Sequence, residues 1–293
     1  MNALAFGEVL WDIYPTSNHL GGATLNFAAH FSKCGGDSWI LSAVGRDELG
    51  EKALEEIKRL RINTEFLSFS ESKETGKCLV SLNKDKLPSY NLLNHVAYDE
   101  IIKPDLSDKT FDVLYFGTLA LRNKNNYCVL NQIIKENKFN EHFVDVNIRA
   151  PYHSDFIIKF ALENATIIKI SDEELPVVIQ SLGETCLSHK ECSKILKKQF
   201  NNLRIVIITR GDKGSFVYDA ANDRIYECQS ERVDVVSTVG AGDSFSASFL
   251  ATYIKTKDIE KSLRLATAIS AFVVSKKGAI PEYMLSDFEQ GEL

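Results

Sequence analysis

The segment Val236–Phe249, VSTVGAGDSFSASF, constrains this chain more than any other stretch. A β-branched run that includes Val233 and Val235 precedes it, and residues suited to a helix follow, so we predict a strand, a tight turn and a helix. The first-turn amides of a helix lack intrahelical partners and the helix dipole is positive there, which suits a phosphate. Asp243 would either take a proton from a hydroxyl group beside that anion or simply cap the helix.

The composition excludes several classes of protein. The chain has 293 residues, 44% hydrophobic and 25% charged, as in globular domains, and a net charge of −6 argues against a nucleic-acid surface. No apolar run approaches the roughly 20 residues that span a bilayer, and MNALAFGEVLWD lacks the basic region of a secretory signal. We therefore expect a soluble cytoplasmic protein without membrane partners. Its six scattered cysteines form no CxxC pair and are expected to be free thiols.

Strands that alternate with helices predict an α/β fold with a mostly parallel sheet covered on both faces. We predict strands at residues 3–6, 38–44, 113–116, 142–146, 165–170, 204–209 and 215–218. We predict helices at residues 27–34, 47–60, 125–135, 243–254 and 258–275. Two further strand-like runs, 77–83 and 89–94, flank residues 84–88 and indicate either a β excursion from the main domain or an ordinary edge hairpin.

Polar groups follow the first predicted strand. Asp12 is expected at the carboxyl end of the sheet, where ligands of open α/β sheets bind, although a solvated loop carboxylate is the alternative. Gly21 and Gly22 permit a close approach to the backbone, and Asn26 offers both a donor and an acceptor. This combination suits the hydroxyl groups of a sugar, or it begins a plain turn and helix.

Later segments supply further candidates. The guanidinium of Arg149, after the strand at 142–146, suits a phosphate or a sugar oxygen, or an ion pair with Asp145. Acidic residues at 172–174 are typical of the first turn of a helix. The Gly-rich turn at 210–214 lies where a nucleotide could rest on the backbone, although such a turn alone does not identify one. Walker A and protein-kinase motifs are absent, so a kinase activity would need another phosphate cradle.

Two segments resemble the signatures of the ribokinase-like (PfkB) carbohydrate kinase family: GGATLNFAAHFSKCGGDSWILSAVGRDELG and VGAGDSFSASFLA. The resemblance extends, in order, over roughly residues 4–281, and FGTLALR, PSYNLLNHVAYDEI and DVNIR are most similar to fructokinases. It implies a single three-layer α/β/α domain over residues 1–293. It also implies a small β lid, contributed mainly by about residues 12–20 and 75–98, that excludes water and often forms a dimer contact.

The resemblance implies roles for single residues. In the family the Asp of the second signature is the catalytic base and the Gly-Ala-Gly amides form the anion hole, which implies catalytic roles for Asp243, Gly240, Ala241 and Gly242. Sugar binding is implied for Asp12, Gly22, Asn26 and Asp243. Arg149 is implied to be an active-site residue that binds substrate. The resemblance does not fix which group of the substrate it contacts.

The nucleotide and metal sites are implied in the same way. TRGDKG resembles the family's ATP-contacting loop, and the last helix and the GAIP loop border the adenine in relatives. ATP contacts are therefore implied for Thr209, Gly211, Gly214, Thr267 and Gly278. Glu174 matches the Glu of an N-x-x-E pattern that helps to hold Mg²⁺ and its waters, with Ser171 in place of Asn.

The implied reaction is the transfer of a phosphoryl group from ATP to D-fructose, which gives fructose 6-phosphate and ADP. Other acceptors are 2-keto-3-deoxygluconate, ribose or another ketose, and a sugar-sensing protein that has lost catalysis is the alternative of another class. Ser237 replaces the Asp that binds a monovalent cation in relatives, so K⁺ activation is left open.

Overall fold

The computed structural model describes residues 1–82 and 88–289. Its strands are β1 (Asn2–Phe6), β2 (Leu10–Ile13), β3 (Asn18–Gly21), β4 (Asp37–Gly45), β5 (Leu67–Ser70), β6 (Gly76–Leu82), β7 (Pro88–Leu92), β8 (Val113–Gly117), β9 (Glu141–Asp145), β10 (Ile167–Ser171), β11 (Ile205–Thr209), β12 (Ser215–Asp219) and β13 (Arg224–Cys228). Its helices are α1 (Ala23–Lys33), α2 (Glu48–Arg59), α3 (Lys124–Glu136), α4 (Asp155–Asn164), α5 (Leu175–Ser181), α6 (His189–Gln199), α7 (Ala241–Thr256), α8 (Ile259–Val274) and α9 (Ser286–Glu289).

The central sheet has nine strands in the order β13-β12-β11-β10-β9-β8-β1-β4-β5. All neighbours are parallel except β11 with β12 and β12 with β13, which are antiparallel. The predicted α/β fold with a mostly parallel sheet is confirmed. The sequence analysis missed α4, α5, α6 and the edge strands β5 and β13.

Helices cover both faces of this sheet, which makes three layers. Successive residues of β1 point to opposite faces: Ala3 and Ala5 pack in the layer that holds α1, α2, α7 and α8, whereas Leu4 and Phe6 pack in the layer that holds α3 to α6. Because both faces are covered, the strands are almost continuously apolar. Their carboxyl ends meet along one edge, where the polar residues of the loops collect.

The predicted strand before the central motif is wrong. No strand lies between β13 and α7 in the described chain, and Val235 and Val236 are 68% and 52% exposed. β13 is the edge strand of the central sheet, and this run adds no further strand beside it. The amides of Val236 and Ser237 instead donate to the carbonyl of Val274, at the end of α8.

A second sheet stands off the body in the order β3-β2-β6-β7, in which β2 and β6 are parallel and the outer pairs are antiparallel. Leu10, Cys78, Val80, Val96 and Tyr98 form its small core. The runs predicted at 77–83 and 89–94 correspond to β6 and β7. The turn between them falls mostly on residues 83–87, outside the described residues.

Cys186 and Cys192 form a disulfide, so the expectation of free thiols is wrong for these two residues. The loop before α6 folds back on its first turns and brings their Cα atoms within 5.5 Å. Within the described ranges, none of the helices is both long and apolar enough to cross a membrane.

Candidate active site

A cleft of about 900 Å³ opens along the carboxyl edge of the central sheet. Its lining comes from residues at or after the ends of β1, β9, β10 and β11, from the start of α7, which lies against β9 and β10, and from β2, β6 and β7 of the second sheet. Predicted site residues that line it are Asp12, Gly22, Asn26, Arg149, Glu174, Thr209, Gly211, Gly214, Gly240, Ala241, Gly242, Asp243 and Thr267. The cleft thus brings together residues from almost the whole length of the chain.

The Gly-Ala-Gly turn forms the start of α7. Gly240 precedes the helix with a φ of 82°, a left-handed conformation that favours glycine, and a Cβ there would lie 2.6 Å from the carbonyl oxygen of Ala279. A Cβ on Gly242 would lie 3.2 Å from Lys169 Nζ. Since the first amides of a helix have no intrahelical acceptor, this turn offers N–H groups and a positive dipole to an anion in the cleft.

Asp243 lies inside the first turn of α7, and the hypothesis that it caps the helix is wrong because Gly240 holds the cap position. Its Oδ2 accepts a hydrogen bond of 2.8 Å from Asn26 Nδ2. Burial and the nearby charge of Asp145 raise the pKa of Asp243 to about 7, although Asn26, Lys169 and Arg149 oppose the shift. A carboxyl group with this pKa suits general-base work near neutral pH.

A buried ion pair lies beneath the turn, and the sequence analysis missed it. Lys169 on β10 lies opposite Asp145 on β9, and its Nζ donates to Asp145 Oδ2 at 2.7 Å, with both side chains nearly fully buried. Burial lowers the pKa of Lys169, but attraction from Asp145 and Glu174 outweighs it and raises that pKa. Ser246 on α7 also donates to Asp145 Oδ2. The sequence signal for this ion pair was a lysine within an otherwise apolar strand.

Arg149 does not pair with Asp145, so that alternative is wrong. Asp145 forms its ion pair with Lys169, and across residues 1–82 and 88–289 Arg149 has no ion pair. The Arg149 side chain is exposed and lines the cleft, and its charge partly opposes the burial that raises the pKa of Asp12, Glu8 and Asp243. A cation in this place can meet either a phosphate or a sugar oxygen.

The start of α1 lies at the end of the cleft for which sugar binding is predicted. The helix begins at Ala23 rather than at residue 27, which places Asn26 in its first turn. The buried carboxylate of Glu8 accepts from the Ala23 amide at 3.0 Å, and burial raises the pKa of Glu8. Gly22 has a φ of 111°, and a Cβ there would lie 2.5 Å from the carbonyl oxygen of Glu8. The sequence analysis did not single out Glu8.

Asp12 lies on β2 of the second sheet rather than at the carboxyl end of the central sheet. The chain leaves the central sheet after β1, and β2 pairs with β3 and β6. Burial raises the pKa of Asp12, and the thiol of Cys78 hydrogen-bonds to its carboxyl group. Burial and that carboxyl group raise the pKa of Cys78 to about 11. Tyr90 and Leu92 of β7 complete this wall of the cleft.

The opposite end of the cleft contains the predicted nucleotide contacts. Gly211 has a φ of 57° and open space around it, whereas a Cβ on Gly214 would collide with the backbone of Cys228. Thr267 Oγ1 lies 3.0 Å from the hydroxyl of Ser215. Gly278 is not among the residues that line the cleft, although the next residue packs against Gly240.

Glu174 joins the ends of two strands. Its Oε1 accepts from the Ile148 amide at 2.6 Å and its Oε2 from the Ser171 amide at 2.8 Å, while the Ser171 hydroxyl accepts from the Glu174 amide at 3.2 Å. No cluster of three His, Cys, Asp or Glu side chains in the described part of the chain could hold a metal ion. One oriented carboxylate with unused lone pairs therefore fits Mg²⁺ that is held mostly by phosphates and water.

Helix α1 also reaches the far side of the anion turn. The buried ring of His30 contacts the carbonyl oxygen of Ala279 at 2.9 Å through Nε2 and the hydroxyl of Tyr283 at 2.7 Å through Nδ1. Burial lowers the pKa of His30 to about 4, so the ring is neutral. The helix that carries Asn26 thus also fixes the loop that packs against Gly240.

Residues 6–284 match the family model of pfkB family carbohydrate kinases. “Probable fructokinase-4” of Arabidopsis thaliana is 26% identical over 309 residues, which cover 95% of this chain and 92% of that protein. A relative from Pyrococcus horikoshii is 29% identical over 282 residues, which cover 92% of this chain and 85% of that protein.

Solved structures have the same fold. A crystal structure of an uncharacterized sugar kinase from Pyrococcus horikoshii in complex with ATP gives a TM-score of 0.82 at 25% identity and covers 100% of this chain and 98% of that chain. A fructokinase with bound ATP from Xylella fastidiosa gives a TM-score of 0.87 at 20% identity, with coverage of 98% and 97%.

Proposed function

This chain belongs to the pfkB family of carbohydrate kinases, and from that premise we propose that it transfers the γ-phosphoryl group of ATP to the 6-hydroxyl group of D-fructose. The observation that carries the proposal is the pairing of Asp243 with the first-turn amides of α7 in one cleft. A base with a pKa of about 7 then lies beside a ready anion site.

In the proposed reaction the 6-hydroxyl oxygen forms a bond to the γ-phosphorus, and the bond from that phosphorus to the bridging oxygen of ADP breaks. The carboxylate of Asp243 takes the hydroxyl proton, while Asn26 holds this carboxylate in place. The amides of Gly240, Ala241 and Gly242 stabilise charge on the transferred group. Phosphoryl transfer depends mostly on positioning and on such electrostatic stabilisation.

Glu174 would hold Mg²⁺ through a bound water, and the ion would neutralise charge on the phosphates. The nucleotide is proposed to lie along Thr209, Gly211, Gly214 and Thr267, with Gly278 behind the turn. The Ser237 hydroxyl accepts from the Val239 amide. Because serine offers no carboxylate to a monovalent cation, the assay tests K⁺ dependence separately.

A neutral acceptor sugar is supported by the charge of the cleft. Glu8, Asp12 and Asp243 all line its sugar end, and sugar hydroxyl groups can donate to carboxylates, whereas a sugar acid would meet like charge. Two named relatives are fructokinases. Arg149 adds a cation at this end, which keeps 2-keto-3-deoxygluconate as the second candidate, beside ribose and other ketoses.

The test is ADP release with Mg-ATP across fructose, ribose, 2-keto-3-deoxygluconate, tagatose, glucose, adenosine and fructose 6-phosphate, each with and without K⁺. We expect a clear preference for fructose. Preference for another sugar would be consistent with the proposed mechanism but would show that fructose is not the acceptor. Sugar binding without any ADP release would favour a non-catalytic sugar sensor.

We further propose a cytoplasmic location and a homodimer formed through the second sheet. Leu79 lies on the face of that sheet that does not line the cleft and is 40% exposed, which supports a covering partner there. Sedimentation of the wild-type chain and of Leu79→Asp tests the dimer: we expect a dimer that the added charge dissociates, and a wild-type monomer would overturn it.

A further inference from the structure

A buried cluster lies at the base of the second sheet, outside the chemistry described above. Arg122 donates to both carboxylate oxygens of Asp99, at 2.8 and 3.0 Å, and both side chains are buried. The guanidinium carbon lies 5.0 Å from the ring centroid of Tyr98 and 4.7 Å from that of Tyr152. Tyr98 in turn packs against Gly76, where β6 begins. We call Tyr98, Asp99, Arg122 and Tyr152 the Arg122 cluster.

The Arg122 cluster holds the end of β7. Arg122 Nη2 donates to the carbonyl of Leu93 at 2.7 Å, and the Tyr152 hydroxyl donates to the carbonyl of Leu92 at 2.9 Å. Leu92 itself lines the cleft. Two successive carbonyls of the returning lid strand are therefore fixed by side chains of the body.

Tyr152 also belongs to the loop that carries Arg149. Its amide donates to the carbonyl of Arg149 at 2.6 Å and closes a turn. The same loop begins at Ile148, whose amide is held by Glu174. A single side chain, that of Tyr152, thus links the Arg149 loop to the strand on the opposite wall of the cleft.

We propose that Tyr152 is a positioning residue that couples the second sheet to the Arg149 loop, so that a sugar which contacts one wall also orders the other. This proposal rests on the proposed function, because it places the sugar between β7 and Arg149. Without the Tyr152 hydroxyl, the direct hydrogen bond from the Arg149 loop to β7 is lost, and the two walls are coupled more weakly, through the Tyr152 ring on Arg122. Sugar then binds more weakly, and water reaches the phosphates more readily.

The first test compares Tyr152→Phe, which keeps the ring on Arg122, with the matched control Tyr218→Phe. Tyr218 loses a similar hydrogen bond, 2.9 Å to Asp223, near the far edge of the central sheet. For Tyr152→Phe we expect KM for the sugar to rise by about three- to tenfold, as for the loss of one hydrogen bond. KM for ATP should stay unchanged, and more ATP should be hydrolysed per sugar phosphate formed. Unchanged sugar KM, or equal rises for sugar and ATP, would overturn the proposal.

The second test does not depend on turnover. Amide hydrogen exchange is followed in peptides that cover residues 88–93 and 146–152, in the wild type and in both variants. We expect Tyr152→Phe to accelerate exchange in both segments and Tyr218→Phe in neither. Acceleration in one segment only, or in none, contradicts the coupling. A wild type that phosphorylates no sugar would defeat the proposed function, while the exchange result would still decide the coupling.

Discussion

The two ends of the cleft are built from different materials. The phosphoryl end consists of main-chain amides of one turn, backed by the buried pair of Asp145 and Lys169. The end proposed for the sugar consists of side chains from two sources, the region around the start of α1 with Glu8 and Asn26, and the second sheet with Asp12 and the half-exposed Tyr90. Under the proposed function, backbone geometry and buried charge would determine the reaction, whereas a few replaceable side chains would determine the acceptor.

The largest expected effect is at the phosphoryl end. Asp243→Asn should reduce turnover by roughly 10² to 10⁴, the usual contribution of a general base, because the amide cannot take the hydroxyl proton. Sugar binding, measured by calorimetry, should stay near normal since the side chain keeps its shape. Turnover like that of the wild type would remove Asp243 from the mechanism.

Loss of the buried cation of Lys169 should reduce the stability of the fold. Lys169→Met leaves Asp145 charged and unpaired, so the free energy of unfolding should fall by about 3–5 kcal/mol. The control Lys33→Met removes a pair with the exposed Glu282 and should cost about 1 kcal/mol or less. Urea unfolding of both variants measures the difference, and equal losses would show that the buried pair is not special.

The pH dependence should also report on the phosphoryl end. Because Asp243 must be ionised to act, kcat/KM should fall about tenfold per pH unit below its pKa of about 7. A raised carboxyl pKa means that the folded state binds the proton more tightly than the unfolded state. The stability contribution of protonated Asp243 is therefore lost as pH rises through 7. A pH–rate profile that is flat from pH 5 to 8 would contradict this assignment.

The smallest effect should come from the sugar end. Tyr90→Ala removes a side chain that lines the cleft and should raise KM for the sugar by about three- to tenfold without changing KM for ATP, since only the contacts on one wall are lost. Leu79→Ala is the matched control, because Leu79 lies on the same sheet but does not line the cleft. A similar change in both variants would mean that the sheet responds as a whole.

The phosphoryl end was the more predictable of the two. Gly240, Gly242 and Asp243 lie within one short string, so local spacing already places them together. The strand predicted at 233–236 failed because β-branched composition does not reveal that the amides of this run donate to the end of α8 and not to a neighbouring strand. Lys169 was missed because its meaning depends on the register with β9, which places Asp145 opposite it.

The base of the second sheet was harder to predict. Asp99 and Arg122 are 23 residues apart, and no periodic pattern relates them. Tyr152 reaches Leu92 across a separation of 60 residues. Such contacts arise from the path of loops around the sheet, and neither composition nor hydrophobic period encodes that path in a single sequence.

Asp12, Asp243 and Thr267 line one continuous cleft. A ligand that joins a sugar to a nucleoside through a short phosphate bridge would therefore reach both ends at once. Its second half would bind at the high local concentration set by the bridge, and the molecule would lose its translational freedom once rather than twice. Such a tethered compound would select for proteins in which both ends have the right shape, and would so distinguish this enzyme from kinases that share only the nucleotide end.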